Sequence, residues 1–356
     1  MYALIAIGVV MIYSASAVLA ELTYRQAAYF LWRQLFAIVV GTAAFSFCSS
    51  LHPEQARRHS RLLIGIAIIF LVLVLLPYVG YSAGGARRWL RFPFFSFQPV
   101  EYVKLAVCIY LADYLTRKRK VILEGSAIVF VPPSLLLLTV GCLILAQPDL
   151  GSCFFLLMIS GIMFFLSGIR FWYIALVGIF AAAGFVLLIV RAPYRLHRVI
   201  AYLDPWKDPQ GNGFQIIQSF LAFGLGGFKG VGLGQSTQKL FYLPQSHTDF
   251  IFSIIGEELG FVGTSFVVIL YLAFFILGYR IAKRCREPFL RLFAFSLVML
   301  VVLEALMNLL VATGMIPTKG LPLPFISYGG TAIVFHMAAV GLLVAVDREA
   351  SRYARE

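Results

Sequence analysis

Charge is what this 356-residue chain has least of: Asp and Glu number 16, Lys and Arg 29, and charged residues make up 13% of the whole. A soluble domain carries about 25% charge and roughly 45–50% apolar residues, whereas the apolar share here is 61%. An ordinary soluble enzyme is thereby excluded. Cysteine is sparse too. The five, Cys48, Cys108, Cys142, Cys153 and Cys285, mostly lie in apolar runs, with no C-x-x-C or Cys/His ligand spacing. This gives no support to a disulfide framework or a metal cage. Also missing is a basic n-region before the first apolar run, Met1 to Ala20. That run is too long for a signal-peptide core, reads as a span, and leaves room for a cytoplasmic tail upstream.

What the chain has instead is long apolar runs, near 1–20, 28–48, 62–80, 99–116, 127–146, 151–168, 172–190, 250–279, 292–314 and 331–346. About 20 apolar residues cross a bilayer as a helix. The expected fold is therefore an all-α polytopic membrane protein with about ten transmembrane helices. Sixteen of the 29 basic residues fall in alternate connections (49–61, 117–126, 169–171 and 280–291) and in the C-terminal tail. By the positive-inside rule that side is cytoplasmic, and both termini are inside.

The other basic residues are the informative ones. Arg87, Arg88 and Arg91 lie in the outer connection 81–98, and Arg191, Arg195, Arg198, Lys207, Lys229 and Lys239 in 191–249, with Arg25, Arg33, Lys104 and Lys319 elsewhere. Two readings fit a basic outer face: lipid headgroups, or a site for a phosphate-bearing ligand on which clustered cations focus their field.

The outer loop 191–249, between the seventh and eighth spans, far exceeds an ordinary connection, and its density of Phe, Ile and Leu argues against disorder. Residues 214–223 suit an amphipathic helix at the interface. Six glycines between Gly224 and Gly234 follow, with no βαβ context for a nucleotide loop, so close backbone packing or a ligand-cradling turn is expected. The loop closes on Ser246-His-Thr-Asp249, just before the eighth span. Asp249 has two readings there: an N-cap, or a carboxylate at the water–membrane boundary suited to general-base work. Glu101 and Lys104, three apart on one helix, share a face and are placed to pair. Asp149 suits a helix cap, and Arg33, one turn from the outer end of its span, suits snorkelling. The Pro/Gly-rich segment 315–330 breaks the helical pattern and is expected to be re-entrant or extracytoplasmic.

Four blocks occur in order: Gly85-Ala-Arg-Arg-Trp89 with Phe97-Gln-Pro-Val-Glu101-x-x-Lys104; Gln147-Pro-Asp-Leu-Gly151; Leu243-Pro-Gln-Ser-His-Thr-Asp249-Phe250 with Gly256-Glu-Glu-Leu-Gly260; and Ile316-Pro-Thr-Lys-Gly320 with Pro324-Phe-Ile-Ser-Tyr-Gly-Gly330. Together with Met11-Ile-Tyr13-Ser-Ala-Ser16, they make the chain resemble the SEDS family (shape, elongation, division and sporulation) over nearly its whole length. Leu203-Asp-Pro-Trp206, Gln238-Lys-Leu-Phe-Tyr242 and Pro317-Thr-Lys-Gly320 resemble the division branch rather than the elongation branch.

The resemblance implies one SEDS-type transmembrane domain over 1–356 that polymerises lipid II into glycan strands on the outer face of the bacterial inner membrane, at the division septum. The implied partners are a class B penicillin-binding transpeptidase, other division proteins and membrane lipids, and no nucleic acid. The family's essential carboxylate maps onto Asp249, as the base that takes the acceptor sugar's 4-hydroxyl proton. Arg87, Arg88, Arg198 and Lys319 are candidates to face the departing pyrophosphate, and Trp89, Glu101, Lys104, Gln238 and His247 complete the candidate substrate-binding set. No cofactor is firmly implied. A divalent cation (Mg or Mn) could share the clamp, but no dedicated ligand set is visible. The chain departs from the family at Ser96, where a basic residue often precedes Phe-Gln-Pro, and at Glu304, where Gln is common. Two other functions compete: a lipid II flippase, with Glu101, Lys104 and Glu304 along its path, and a scaffold whose Asp249 tolerates substitution.

Overall fold

The computed structural model describes residues 1–353 except 84, 85, 93, 94, 192, 212, 241, 242 and 319; for residues 83, 188, 193–195, 198 and 353 it describes the backbone alone. The elements run α1 Tyr2–Tyr24, α2 Tyr29–Ser50, α3 Pro53–Arg58, α4 Ser60–Leu75, β1 Gly80–Ala83, β2 Ala86–Arg91, β3 Ser96–Phe97, α5 Pro99–Arg117, α6 Arg119–Leu123, α7 Val131–Ala146, α8 Leu150–Leu166, α9 Phe171–Val190, α10 Pro193–Leu203, α11 Phe214–Gly226, α12 Ile251–Arg284, α13 Pro288–Ala312 and α14 Gly330–Tyr353. The ten expected spans correspond to α1, α2, α4, α5, α7, α8, α9, α12, α13 and α14. Among the described residues, six helices are long and apolar enough to cross a membrane by length and composition, while α4, α8 and α9 are shorter apolar helices. In α5 the hydropathy is broken by Glu101, Lys104, Asp113 and Arg117.

The chain divides into two compact units: residues 1–36, 179–274 and 304–329 in the first, and residues 37–178, 275–303 and 330–356 in the second. In the second unit, α5 starts at Pro99, after an extended Gln98 whose backbone cannot continue a helix, and carries Glu101 in its first turn. It is buried almost all round and packs against α4, α8, α14 and β2. A helix buried on every side must pair its charges internally. Lys104 does so with Glu101 at 2.8 Å and lies over the Phe155 ring at 5.2 Å. Asp113 accepts from Ser60 at 2.7 Å and Arg117 at 2.8 Å, with Arg57 at 3.5 Å.

Residues 80–97 hold a small antiparallel sheet, ordered β1-β2-β3, which the helical reading did not foresee. Gly80 pairs with Leu90 and Tyr81 with Trp89, and a register irregularity follows at Tyr81/Ser82. In β2, Ala86 and Leu90 are buried while Arg87 and Arg91 are exposed, the period-2 alternation of a half-buried strand.

In the first unit the glycine-rich segment packs backbone against backbone. Val231 and Gly232 N–H groups donate to the carbonyls of Glu257 and Glu258, each at 3.0 Å, and Phe261 N–H donates to Gly227 at 2.9 Å. A Cβ at Gly230 would collide with the Glu258 carbonyl. Opposite it, Gly260 leaves helical geometry at φ 67°, ψ −162°, kinking α12, a conformation open mainly to glycine. α11, where the amphipathic helix was expected, buries Ile216, Ile217, Ser219 and Ala222.

Beside these glycines, the Glu257 carboxylate accepts from Thr237 N–H at 2.8 Å, Thr237 Oγ1 at 2.9 Å, Gln238 N–H at 3.3 Å, and the Ser236 hydroxyl. Glu258 accepts from Lys239 Nζ at 2.8 Å and Ser14 Oγ at 2.6 Å. Lys239 and Glu258 are both buried, and removing one partner of such a pair costs about 3–5 kcal/mol, because the other charge is stranded. Glu258→Met and Lys239→Met are therefore expected each to lower stability by about 3 kcal/mol, with Lys239→Met/Glu258→Met recovering most of the loss. Detergent melting of the four proteins checks this; a double variant as unstable as the summed singles would contradict it.

Candidate active site

The site is built on the turns that precede α12. Gln245, at φ 56°, bends the chain, and Phe250 N–H returns to its carbonyl at 3.4 Å. Ser246 Oγ donates to the Ala15 carbonyl of α1 at 3.3 Å. The next three carbonyls are each held from another part of the unit. That of His247 accepts from Tyr328 N–H at 3.0 Å, that of Thr248 from Ser327 Oγ at 2.6 Å, and that of Asp249 from Asn308 Nδ2 at 2.9 Å. Asn308 also donates to Leu321 at 2.8 Å. Gln34 accepts from Gly329 N–H at 3.3 Å and donates to the Ser327 carbonyl at 3.4 Å. α1, α13 and the 327–328 segment thus fix one turn by polar contacts, and Gln34 of α2 braces that segment.

α12's first bonds run from Ser253 and Ile254 N–H to the carbonyl of Phe250. Phe250 is therefore the cap position, and Asp249 stands one residue ahead of it. Asp249 is half-buried, and a Cβ at Gly320 would lie 3.4 Å from its Oδ2.

His247 sits against Phe30 at 4.7 Å and Tyr328 at 5.8 Å between ring centres. Burial lowers its pKa from 6.5 to about 4, so at neutral pH it is an uncharged imidazole. Its Nδ1 is buried without a hydrogen-bond partner among the described residues. Arg33 donates to Tyr29 Oη at 3.0 Å and lies 5.2 Å from the centre of that ring. Burial raises the Tyr328 pKa, opposed by Arg33. Snorkelling had been the expectation for Arg33; its contact with Tyr29 follows the i, i+4 spacing of one helix, while Tyr328 could not be read from spacing.

The other candidates divide as follows. Gln238 belongs to the first unit, where its backbone N–H donates to the Glu257 carboxylate and its buried side-chain Oε1 has no hydrogen-bond partner among the described residues. In the second unit, Arg87 is exposed on β2 and Trp89 half-buried. Arg88 is committed to the turn between α7 and α8. It donates to the carbonyls of Gln147 at 3.3 Å and Pro148 at 2.5 Å and lies 3.8 Å from Asp149. Asp149 caps α8 by accepting from Ser152 N–H at 3.1 Å, as its position suggested. Glu101 and Lys104 form the buried pair already described. At Ser96, the carbonyl accepts from Thr331 Oγ1 at 2.9 Å. Lys319 and the Arg198 side chain lie outside the described residues.

The sequence model of a family described as "Cell cycle protein", FtsW/RodA/SpoVE, matches residues 1–352. A relative from Trichlorobacter lovleyi, named "Probable peptidoglycan glycosyltransferase FtsW", is 44% identical over 348 residues, 97% of this chain and 90% of that protein. "Stage V sporulation protein E" of Bacillus subtilis is 41% identical over 98% of this chain and 95% of its own. The fold is similar to a solved chain titled "Structural coordination of polymerization and crosslinking by a peptidoglycan synthase complex", with TM-score 0.81 and 32% identity over 98% of this chain and 96% of that one.

The His247 shift makes stability depend on pH. The unfolded chain takes up this proton as pH falls through 6.5, the folded one only near 4. The stabilisation is complete above 6.5 and smaller by about 2 kcal/mol at pH 5. Melting at pH 7.5 and pH 5 is expected to show a larger acid loss for the natural protein than for His247→Gln; equal losses would exclude a buried neutral imidazole.

Proposed function

The chain belongs to the FtsW/RodA/SpoVE family, and from that membership we propose that Asp249 is the general base of its reaction. The protein is a multi-pass membrane peptidoglycan glycosyltransferase. In the proposed step, Asp249 takes the proton from the 4-hydroxyl of the acceptor sugar as that oxygen attacks the anomeric carbon of the donor. The bond from that carbon to the polyprenyl pyrophosphate breaks with inversion, and the electron pair leaves with the pyrophosphate. One base and an electrostatic clamp suffice for this displacement. The observation that carries the reading is the fixed turn. With the backbone carbonyls of 247, 248 and 249 all tied down, the carboxylate is held ready and little reorganisation remains for the transition state.

Of Arg87 and Arg88, exposed Arg87 is the more available for the clamp, because Arg88 already serves carbonyls. Lys319 and Arg198 remain proposals from the family motifs, as do substrate roles for Trp89, Glu101, Lys104, Gln238 and His247. The neutral His247 ring suits stacking or hydrogen bonding rather than pairing with pyrophosphate. The resemblance to a chain from a peptidoglycan synthase complex supports action beside a crosslinking partner. We assign that partner to the class B penicillin-binding transpeptidases, lipid II to the substrate, and the division septum of the bacterial inner membrane to the location.

Asp249→Asn tests the base directly, since the amide keeps the shape and loses the basicity. Polymerisation from purified lipid II, with the transpeptidase present, is expected to fall by at least about 100-fold, with melting unchanged. Polymer formed at the natural rate would defeat the mechanism. Loss of lipid translocation in liposomes with polymerisation intact would favour the flippase.

A further inference from the structure

A cavity of about 440 Å³ lies within the second unit, well away in sequence from the motifs discussed so far. It is formed where α5, α8 and α12 end, α6 lies and α13 begins. Its floor is apolar, with Leu115, Ala282 and Leu292 buried. At its mouth stand the exposed cations Arg119, Lys283 and Arg291. These residues come from the connections 117–126 and 280–291 and their borders, which the distribution of basic residues places on the cytoplasmic side.

The lining separates this cavity from generic cytoplasmic charge: among the described residues no Asp or Glu lines it. Among the described residues none of the three cations has an ion-pair partner, which is equally true of Lys118, Lys120 and Arg280 outside it, so what sets the three apart is the cavity they surround. The rim is mixed as well. Leu123 and Leu166 are 65% and 47% exposed beside the cations, which suits a ligand that is anionic at one end and apolar at the other. The volume falls in the range of pockets that enclose ligands of small-molecule size, about 300–1,000 Å³, and basic pockets between spans on the cytoplasmic side suit anionic lipid headgroups.

We propose that this cavity binds an anionic phospholipid of the cytoplasmic leaflet. The headgroup phosphodiester meets Arg119, Lys283 and Arg291, and the first acyl carbons run along Leu123 and Leu166. The same cations would attract free phosphate or an acidic peptide, but neither makes use of the leucines.

The test measures phosphatidylglycerol retained by the full-length protein in detergent, by native mass spectrometry, against phosphatidylcholine with the same acyl chains. The natural protein is expected to retain phosphatidylglycerol preferentially, and Arg119→Gln/Lys283→Gln/Arg291→Gln to retain at least tenfold less. A second triple, Lys118→Gln/Lys120→Gln/Arg280→Gln, removes the same charge from the same face outside the cavity and is expected to behave as the natural protein. Equal loss in both triples would reduce the effect to general membrane electrostatics and overturn the proposal. So would the absence of headgroup preference in the natural protein, which needs no variant to fold. Displacement of the lipid by millimolar inorganic phosphate would make this a free-anion site, and displacement by micromolar polyglutamate a protein-docking site; either result overturns it.

Discussion

Glu257 and Glu258, buried side by side two turns into α12, bind the polar groups of residues 236–239 and of Ser14. A buried carboxylate without partners is too costly to persist. The requirement therefore works in both directions: the carboxylates need these donors, and the donors fix where the segment leading to Asp249 must run. The backbone carbonyls of the same two residues receive Val231 and Gly232, so a single stretch of helix anchors the glycine segment and the polar segment together. The turn carrying Asp249 inherits its position from both.

Unit two solves the same problem differently. Three of its buried charges, Glu101, Lys104 and Asp113, lie on α5 and are paired within a turn or with adjacent helices, as in Lys104 with Glu101 and Asp113 with Arg57 and Arg117. Arg88 and Asp149 show an economy of the same kind, one binding the carbonyls at a helix junction and the other capping the next helix. Residues that look catalytic in a motif can be structural by geometry, and with few charges in the chain each one has to serve where it is buried.

Much of this was legible in the sequence because its signals are local. Span lengths follow from apolar runs, the Glu101–Lys104 pair from a spacing of three, the Asp149 cap from its place before an apolar run, and close glycine packing from the lack of a nucleotide-binding context. The sheet at 80–97 was missed because its alternation covers only a few residues and sits among glycines and aromatics. Arg33 was undervalued although Tyr29 stands four residues before it on the same helix; only Tyr328 is brought to it by tertiary structure. For Asp249, the family motif pointed to chemistry while local pattern pointed to a cap. The bonds to Phe250 put it one residue ahead of the capping position, a distinction too fine for sequence.

The break at Gly260 bears on depth. As one continuous helix, the 34 residues of α12 would reach about 51 Å, against a hydrocarbon layer of about 30 Å. Counted from the break, residues 261–284 alone span about 36 Å, enough to cross with modest tilt. The nine residues before it are then surplus to crossing, so the turn that carries Asp249 has no need to lie within the hydrocarbon layer.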